Sequence, residues 1–130
     1  MTTPFWCLLA AILLPYVLAG VGGYFRMRQF GRIDNKHPRQ QAAALEGAGA
    51  RAYAAQQNAW EALAVFAPSV LVAHVAGADP DRSAIAALAF LAARVVHPVA
   101  YLANVDALRS LSFLVGFLAC LYLFRLAAVA

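Results

Sequence analysis

Apolar residues run almost unbroken through four stretches of the chain, at about 4–25, 53–77, 83–104 and 108–129. Each is close to the roughly 20 residues a helix needs to cross a bilayer core. Backbone polar groups in lipid must be satisfied within the segment, so all four stretches are expected to be helices. Pro15, Pro68 and Pro98 fall inside three of them. Each removes a backbone hydrogen bond and is expected to bend its helix. The second stretch has a polar helical lead-in. "RAYAAQQNAWEALAVFAP", residues 51–68, passes an arginine, two glutamines, an asparagine and a glutamate before turning apolar. The pattern predicts an all-α integral membrane protein, a single four-helix domain over 1–130.

The links between stretches set the topology. Residues 26–52 hold Arg26, Arg28, Arg32, Lys36, Arg39 and Arg51 against Asp34 and Glu46. The turn at 77–83 has two acids and one arginine, and the turn at 104–109 one of each. Basic residues collect on the cytoplasmic side. The 26–52 link and the 104–109 turn are therefore expected in the cytoplasm, with both termini and the 77–83 turn opposite. The N-terminal stretch has no basic lead and is longer than a secretory signal, so a retained membrane helix is expected. "ALEGAGARA" suits either a close-packed helix stretch or a loose joint.

Composition agrees with a membrane protein. The 130 residues are 64% hydrophobic and 12% charged, against about 25% charged in soluble domains. The net charge of +4 reads as loop bias, and no basic stripe with interleaved aromatics suggests nucleic acid. Cys7 and Cys120 lie far apart in apolar runs, which is neither a metal spacing nor a redox pair. Lysine occurs once, as Lys36, while alanine and arginine abound. That usage points to a GC-rich bacterial gene and hence to a bacterial inner membrane.

The polar residues within the spans are the candidate chemistry. At about 100° per residue, Arg51, Asn58 and Glu61 share an arc of about 80°, with Gln57 just off its edge. Arg94, His97 and Tyr101 fall within about 60° of one another on the third span. Both groups lie near the cytoplasmic ends of their helices. Asp106 is a candidate N-cap for the fourth span. Arg109 and Ser110 follow in its first turn, where an arginine opposes the helix dipole unless an anion sits nearby. Charges at the centre of a membrane helix each cost about 2.5–3.5 kcal/mol or more, so they pair or line a wet cavity. One reading is a structural lock, with Glu61 on Arg94 and Asn58 on His97. The other is a cleft for an anionic ligand, because three arginines outnumber Glu61. His37 and His74 read as loop and far-side residues, and Trp6, Tyr16 and Tyr122 as interface or packing residues. Trp60 is expected away from the polar face. There is no Ser/His/Asp arrangement, phosphate-cradling glycine loop or metal cluster. Proton-coupled transporters tend to place a lone acid in mid-helix. Here the first span has no acid and Glu61 sits beside arginines, which makes a transporter the weaker reading.

"QNAWEALAVFAP", then "FLAARVVHPVAYL", then "ALRSLSFLVG" resembles the MAPEG superfamily, the membrane-associated proteins in eicosanoid and glutathione metabolism. The resemblance covers about Arg26 to Gly116. It implies a homotrimer of four-helix subunits, with glutathione as co-substrate between adjacent subunits near the cytoplasmic face. Arg51, Asn58 and Glu61 would then hold the tripeptide's charged and amide groups, with Arg94 and Tyr101 from the third helix and His97 supporting it. Arg109 matches the arginine that stabilises the thiolate, Ser110 lies beside it, and Arg26 matches a basic residue that reaches the ligand from the first helix. The implied activity is a membrane-bound glutathione transferase or peroxidase acting on lipophilic electrophiles, without a metal. Ala54, Gln56 and Phe113 depart from arginine, histidine and an aromatic hydroxyl found at those positions in other members. The departures keep open a non-catalytic binding or scaffold protein.

Overall fold

The computed structural model describes residues 1–130 and contains five helices and no strands: α1 (Thr3–Phe30), α2 (Pro38–Ala43), α3 (Gly47–Val75), α4 (Pro80–Leu102) and α5 (Asp106–Ala128). Four of them, all but α2, are long and apolar enough to cross a membrane. Their outward faces expose large apolar side chains such as Leu71, Leu114 and Phe117. Apolar surface on that scale suits hydrocarbon, not water. The chain is an integral, multi-pass membrane protein.

Two helices outrun the apolar segments that announce them. α1 continues through Arg26 and Arg28 to Phe30 and stops at Gly31, whose φ of +70° gives the left-handed cap. Arg26 is thus a helical residue. α3 begins at Gly47, ahead of Arg51, and its 29 residues span about 43 Å. That exceeds the roughly 30 Å of a hydrocarbon core, so its first turns extend beyond it. The glycines of "ALEGAGARA" are a close-packed start: a Cβ on Gly49 would lie 3.0 Å from Leu45 Cδ2 and 3.2 Å from Phe25 Cβ.

The link between α1 and α3 is tied down. The Asp34 carboxylate accepts from the backbone N–H groups of Lys36 (2.8 Å) and His37 (3.0 Å). Those bonds, the His37 one foremost, hold its pKa below the usual carboxylate value. The Gln41 side chain donates to Arg32 O and accepts from Asp34 N–H. The Gln29 side chain donates to Ala44 O and accepts from Glu46 N–H.

The other connections are short. The N–H of Ala78 donates to Ala73 O and that of Gly77 to His74 O, which closes α3 with a Schellman turn around Gly77 at φ +75°. Asp79 then caps α4 by accepting from Arg82 N–H. The same pair of bonds recurs at the end of α4, from Val105 to Ala100 O and from Asn104 to Tyr101 O. Asn104 takes the left-handed position at φ +59°. Asp106 does not cap α5 as the sequence suggested. Val105 is the capping position, and Asp106 is the first helical residue, accepting from Ala107 N–H.

The core is built from small residues around one aromatic pair. Phe66 and Phe90 stack at 3.7 Å with planes 7° apart, both buried. Buried alanines such as Ala52, Ala55, Ala59, Ala87 and Ala119 let the backbones approach, as association in lipid requires. Cys7 and Cys120 are free and buried.

Candidate functional site

The polar residues gather at the end of the bundle that carries the α1–α3 link and the α4–α5 turn. Arg94 is central to them. It is 3% exposed, and its stem passes through a notch left by Gly116, where a Cβ would lie 3.3 Å from Arg94 Cδ. Its Nη2 donates to Asn58 Oδ1 at 2.6 Å and also lies 3.4 Å from Asn58 O. Asn58 Nδ2 in turn donates to Glu61 Oε2 at 3.3 Å. The expected pairing of Glu61 with Arg94 therefore runs through Asn58. Arg94 Nε has no partner.

His97 is 2% exposed, and its Nδ1 also lacks a partner, so it does not pair with Asn58. Its ring meets Tyr101 edge-on at 5.6 Å. The face of Tyr101 lies 4.7 Å from the Arg109 guanidinium carbon. Arg109 is half-buried and stands in the first turn of α5 with no carboxylate against it; the one carboxylate close to a basic side chain is Asp34, 3.7 Å from the His37 ring in the link. Asn58, His97, Tyr101, Arg109, Ser110 and Phe113 line an open cavity of about 300 Å³. A second hollow of about 220 Å³ continues between α3 and α5, bordered by Glu61, Arg94, Phe113, Gly116, Phe117 and Cys120 among others.

Two expected residues stand elsewhere. Arg51 Nε donates to Leu102 O at 3.2 Å, satisfying a carbonyl that the end of α4 leaves open. Arg26 lines a separate and larger cavity, about 510 Å³, between α1, α2 and α3. Tyr53, Gln56, Gln57 and Trp60 form its α3 wall, and Arg39 comes from α2. Trp60 meets Tyr16 of α1 edge-on at 5.2 Å, away from the Asn58 face as expected, and there it borders this second polar cavity. Gln57 was visible in the sequence as a neighbour of the Asn58 arc. Arg39 carried no signal, because its place depends on how the link folds back. α3 thus presents two polar faces, centred roughly 140° apart around its axis. No group of three His, Cys, Asp or Glu side chains comes together to hold a metal ion.

Chemically, the Arg109 cavity offers a cation, two hydroxyls and an amide beside an apolar wall. That set suits a negatively charged guest with hydrogen-bonding groups. The family model described as "MAPEG family" matches residues 3–129. Comparison with curated proteins finds no match.

Proposed function

The chain belongs to the MAPEG family, and from that premise we propose that it is a glutathione-dependent transferase or peroxidase for lipophilic electrophiles. The observation that carries the reading is Arg109. Its guanidinium lines a cavity, rests on the Tyr101 ring, and has no carboxylate against it. It also sits where the dipole of α5 disfavours a cation. A bound anion relieves both deficits.

A free thiol has a pKa near ~8.5 and is mostly protonated at neutral pH. A guanidinium within hydrogen-bond reach stabilises the thiolate, and a tenfold gain in thiol acidity corresponds to about 1.4 kcal/mol. Arg109 holds the glutathione sulfur as the anion, with Ser110 beside it. Asn58 and Tyr101 contact the tripeptide, Arg94 and Glu61 hold Asn58 in place, and His97 backs Tyr101. Arg51 reaches the ligand by releasing the Leu102 carbonyl. The electrophile enters from the bilayer through the hollow between α3 and α5. With an alkyl or aryl halide, a carbon–sulfur bond forms and the halide leaves with the bonding pair. With a hydroperoxide, the thiolate attacks the outer oxygen and the O–O bond breaks. The alcohol leaves after taking a proton, and a second glutathione converts the sulfenic acid to disulfide and water.

Arg26 joins this site only from a neighbouring copy. Head-to-tail packing of three copies closes a ring and sets the Arg26 face of one α3 against the Arg109 face of the next. A homotrimer with its sites at the cytoplasmic surface follows, in line with the basic link.

The test is thiolate absorbance on adding glutathione to purified protein. A signal is expected in the wild type and not in Arg109→Ala. Equal signals would remove Arg109 from the chemistry. A non-catalytic binding protein is the second reading. Arg51 and Arg94 are already engaged with Leu102 and Asn58, and Ala54, Gln56 and Phe113 supply fewer anchors. That reading gives glutathione binding without turnover of any electrophile.

A further inference from the structure

The largest cavity in the molecule is not the one holding Arg109. It lies between α1, α2 and α3, and its volume of about 510 Å³ falls well inside the roughly 300–1,000 Å³ of ligand pockets. Two arginines line it, Arg26 from α1 and Arg39 from α2, and no Asp or Glu does. Neither guanidinium has a carboxylate within 4.0 Å; the one such acid–base contact is between Asp34 and the His37 ring. The remaining polar wall is Tyr53, Gln56 and Gln57, which can donate but add no negative charge. Trp60 borders it towards the apolar half of α3.

Arg39 is presented by a fixed arm, not a loose tether. Four side-chain to backbone bonds, two from Gln29 and two from Gln41, tie the link to the end of α1 and the start of α3. Two more, from Lys36 and His37 to Asp34, shape the turn that leads into α2. Leu45, just after α2, is 5% exposed and packs against Gly49. Of the four basic residues at 28–39, only Arg39 borders this cavity; Arg28 is turned onto Tyr24, with a 3.2 Å hydrogen bond to its hydroxyl.

We infer that Arg39 is an anion-binding residue: with Arg26 it forms a carboxylate site on the α1–α2–α3 cavity, which takes one terminal carboxylate of the thiol ligand. The inference rests on the glutathione reading above. Glutathione carries two carboxylates at its ends and its thiol in the middle. With the sulfur at Arg109, a terminal group needs a cation outside the Arg109 cavity. The α1–α2–α3 cavity supplies two, on the face of α3 that an adjoining copy would turn towards it. Charge-assisted bonds from two guanidinium groups favour a carboxylate over a neutral amide or ester.

The experiment is a glutathione titration followed by thiolate absorbance, with wild type, Arg39→Gln, Arg39→Lys and Arg28→Gln in the same lipid. Loss of one charge-assisted hydrogen bond is expected to raise the dissociation constant of Arg39→Gln about tenfold. Its signal at saturation is set by Arg109 and stays. Arg39→Lys falls between, and Arg28→Gln titrates as wild type. An Arg39→Gln curve superimposed on a full wild-type curve overturns the role of Arg39 and leaves the thiolate chemistry standing. So does an equal weakening by Arg28→Gln, which would mark a general effect of charge. A wild type that gives no thiolate signal overturns the glutathione reading itself, and this site with it.

Discussion

The Asn58–Arg94 contact is the tightest polar link between spans, at 2.6 Å. Arg94 is almost completely buried and its Nε has no partner, so Asn58 carries most of the compensation for that charge. Asn58→Ala is expected to lose about 2 kcal/mol of stability, the scale of a hydrogen bond to a charged group, read from unfolding in detergent. Asn58→Asp should keep the acceptor and retain most of it. At this scale the sequence told which residues share a face but not which ones touch. Asn58 and Glu61 lie less than one turn apart, and both were eligible partners for Arg94. The choice depends on the depth at which the arginine's stem enters the notch at Gly116, and that depth is a property of packing between helices. His97 and Asn58 were expected to pair for the same reason, and the ring turned to Tyr101 instead.

Among the elements, the four spans were readable because a run of about twenty apolar residues has few other fates. Their ends were less so. α1 and α3 carry their helical hydrogen bonding beyond the apolar run into polar sequence, where hydropathy gives no guidance. The folded link was invisible, since Gln29 and Gln41 reach partners many positions away. Its stability depends on Asp34. The backbone bonds from His37 and Lys36 lower that carboxyl's pKa, so they favour the folded link when it is ionised. Their contribution is full above the ordinary carboxylate range and disappears as pH falls through the lowered value. Limited proteolysis of the link by an acid-active protease should therefore run faster at a pH below the carboxylate range than at one above it, relative to an unfolded control substrate. Asp34→Ala should show the faster rate at both pH values.

Across the whole molecule, the family is carried by residues 3–129, and the motifs on the second, third and fourth spans pointed to it. The position of Arg26 was the part that sequence could not give. One chain puts it in a different cavity from Arg109, so the proposed shared site requires an assembly. Subunit mixing tests that assembly. Arg26→Ala and Arg109→Ala are each expected to be weak alone. Co-expressed in equal amounts, they should regain about a quarter of wild-type activity, because that share of head-to-tail junctions pairs an intact Arg26 with an intact Arg109. Activity equal to the mean of the two separate variants would place the complete site within one chain.

Phe113 is the single side chain common to the wall of the Arg109 cavity and that of the hollow between α3 and α5. On one side of its ring lies the compartment that Arg109 lines, and on the other a largely apolar one between α3 and α5. A phenyl group has no hydroxyl with which to greet a sulfur anion, but it makes a dry gatepost. On the proposed route from the bilayer to the guanidinium a visitor passes that ring, and its bulk would then screen by girth before any bond is made.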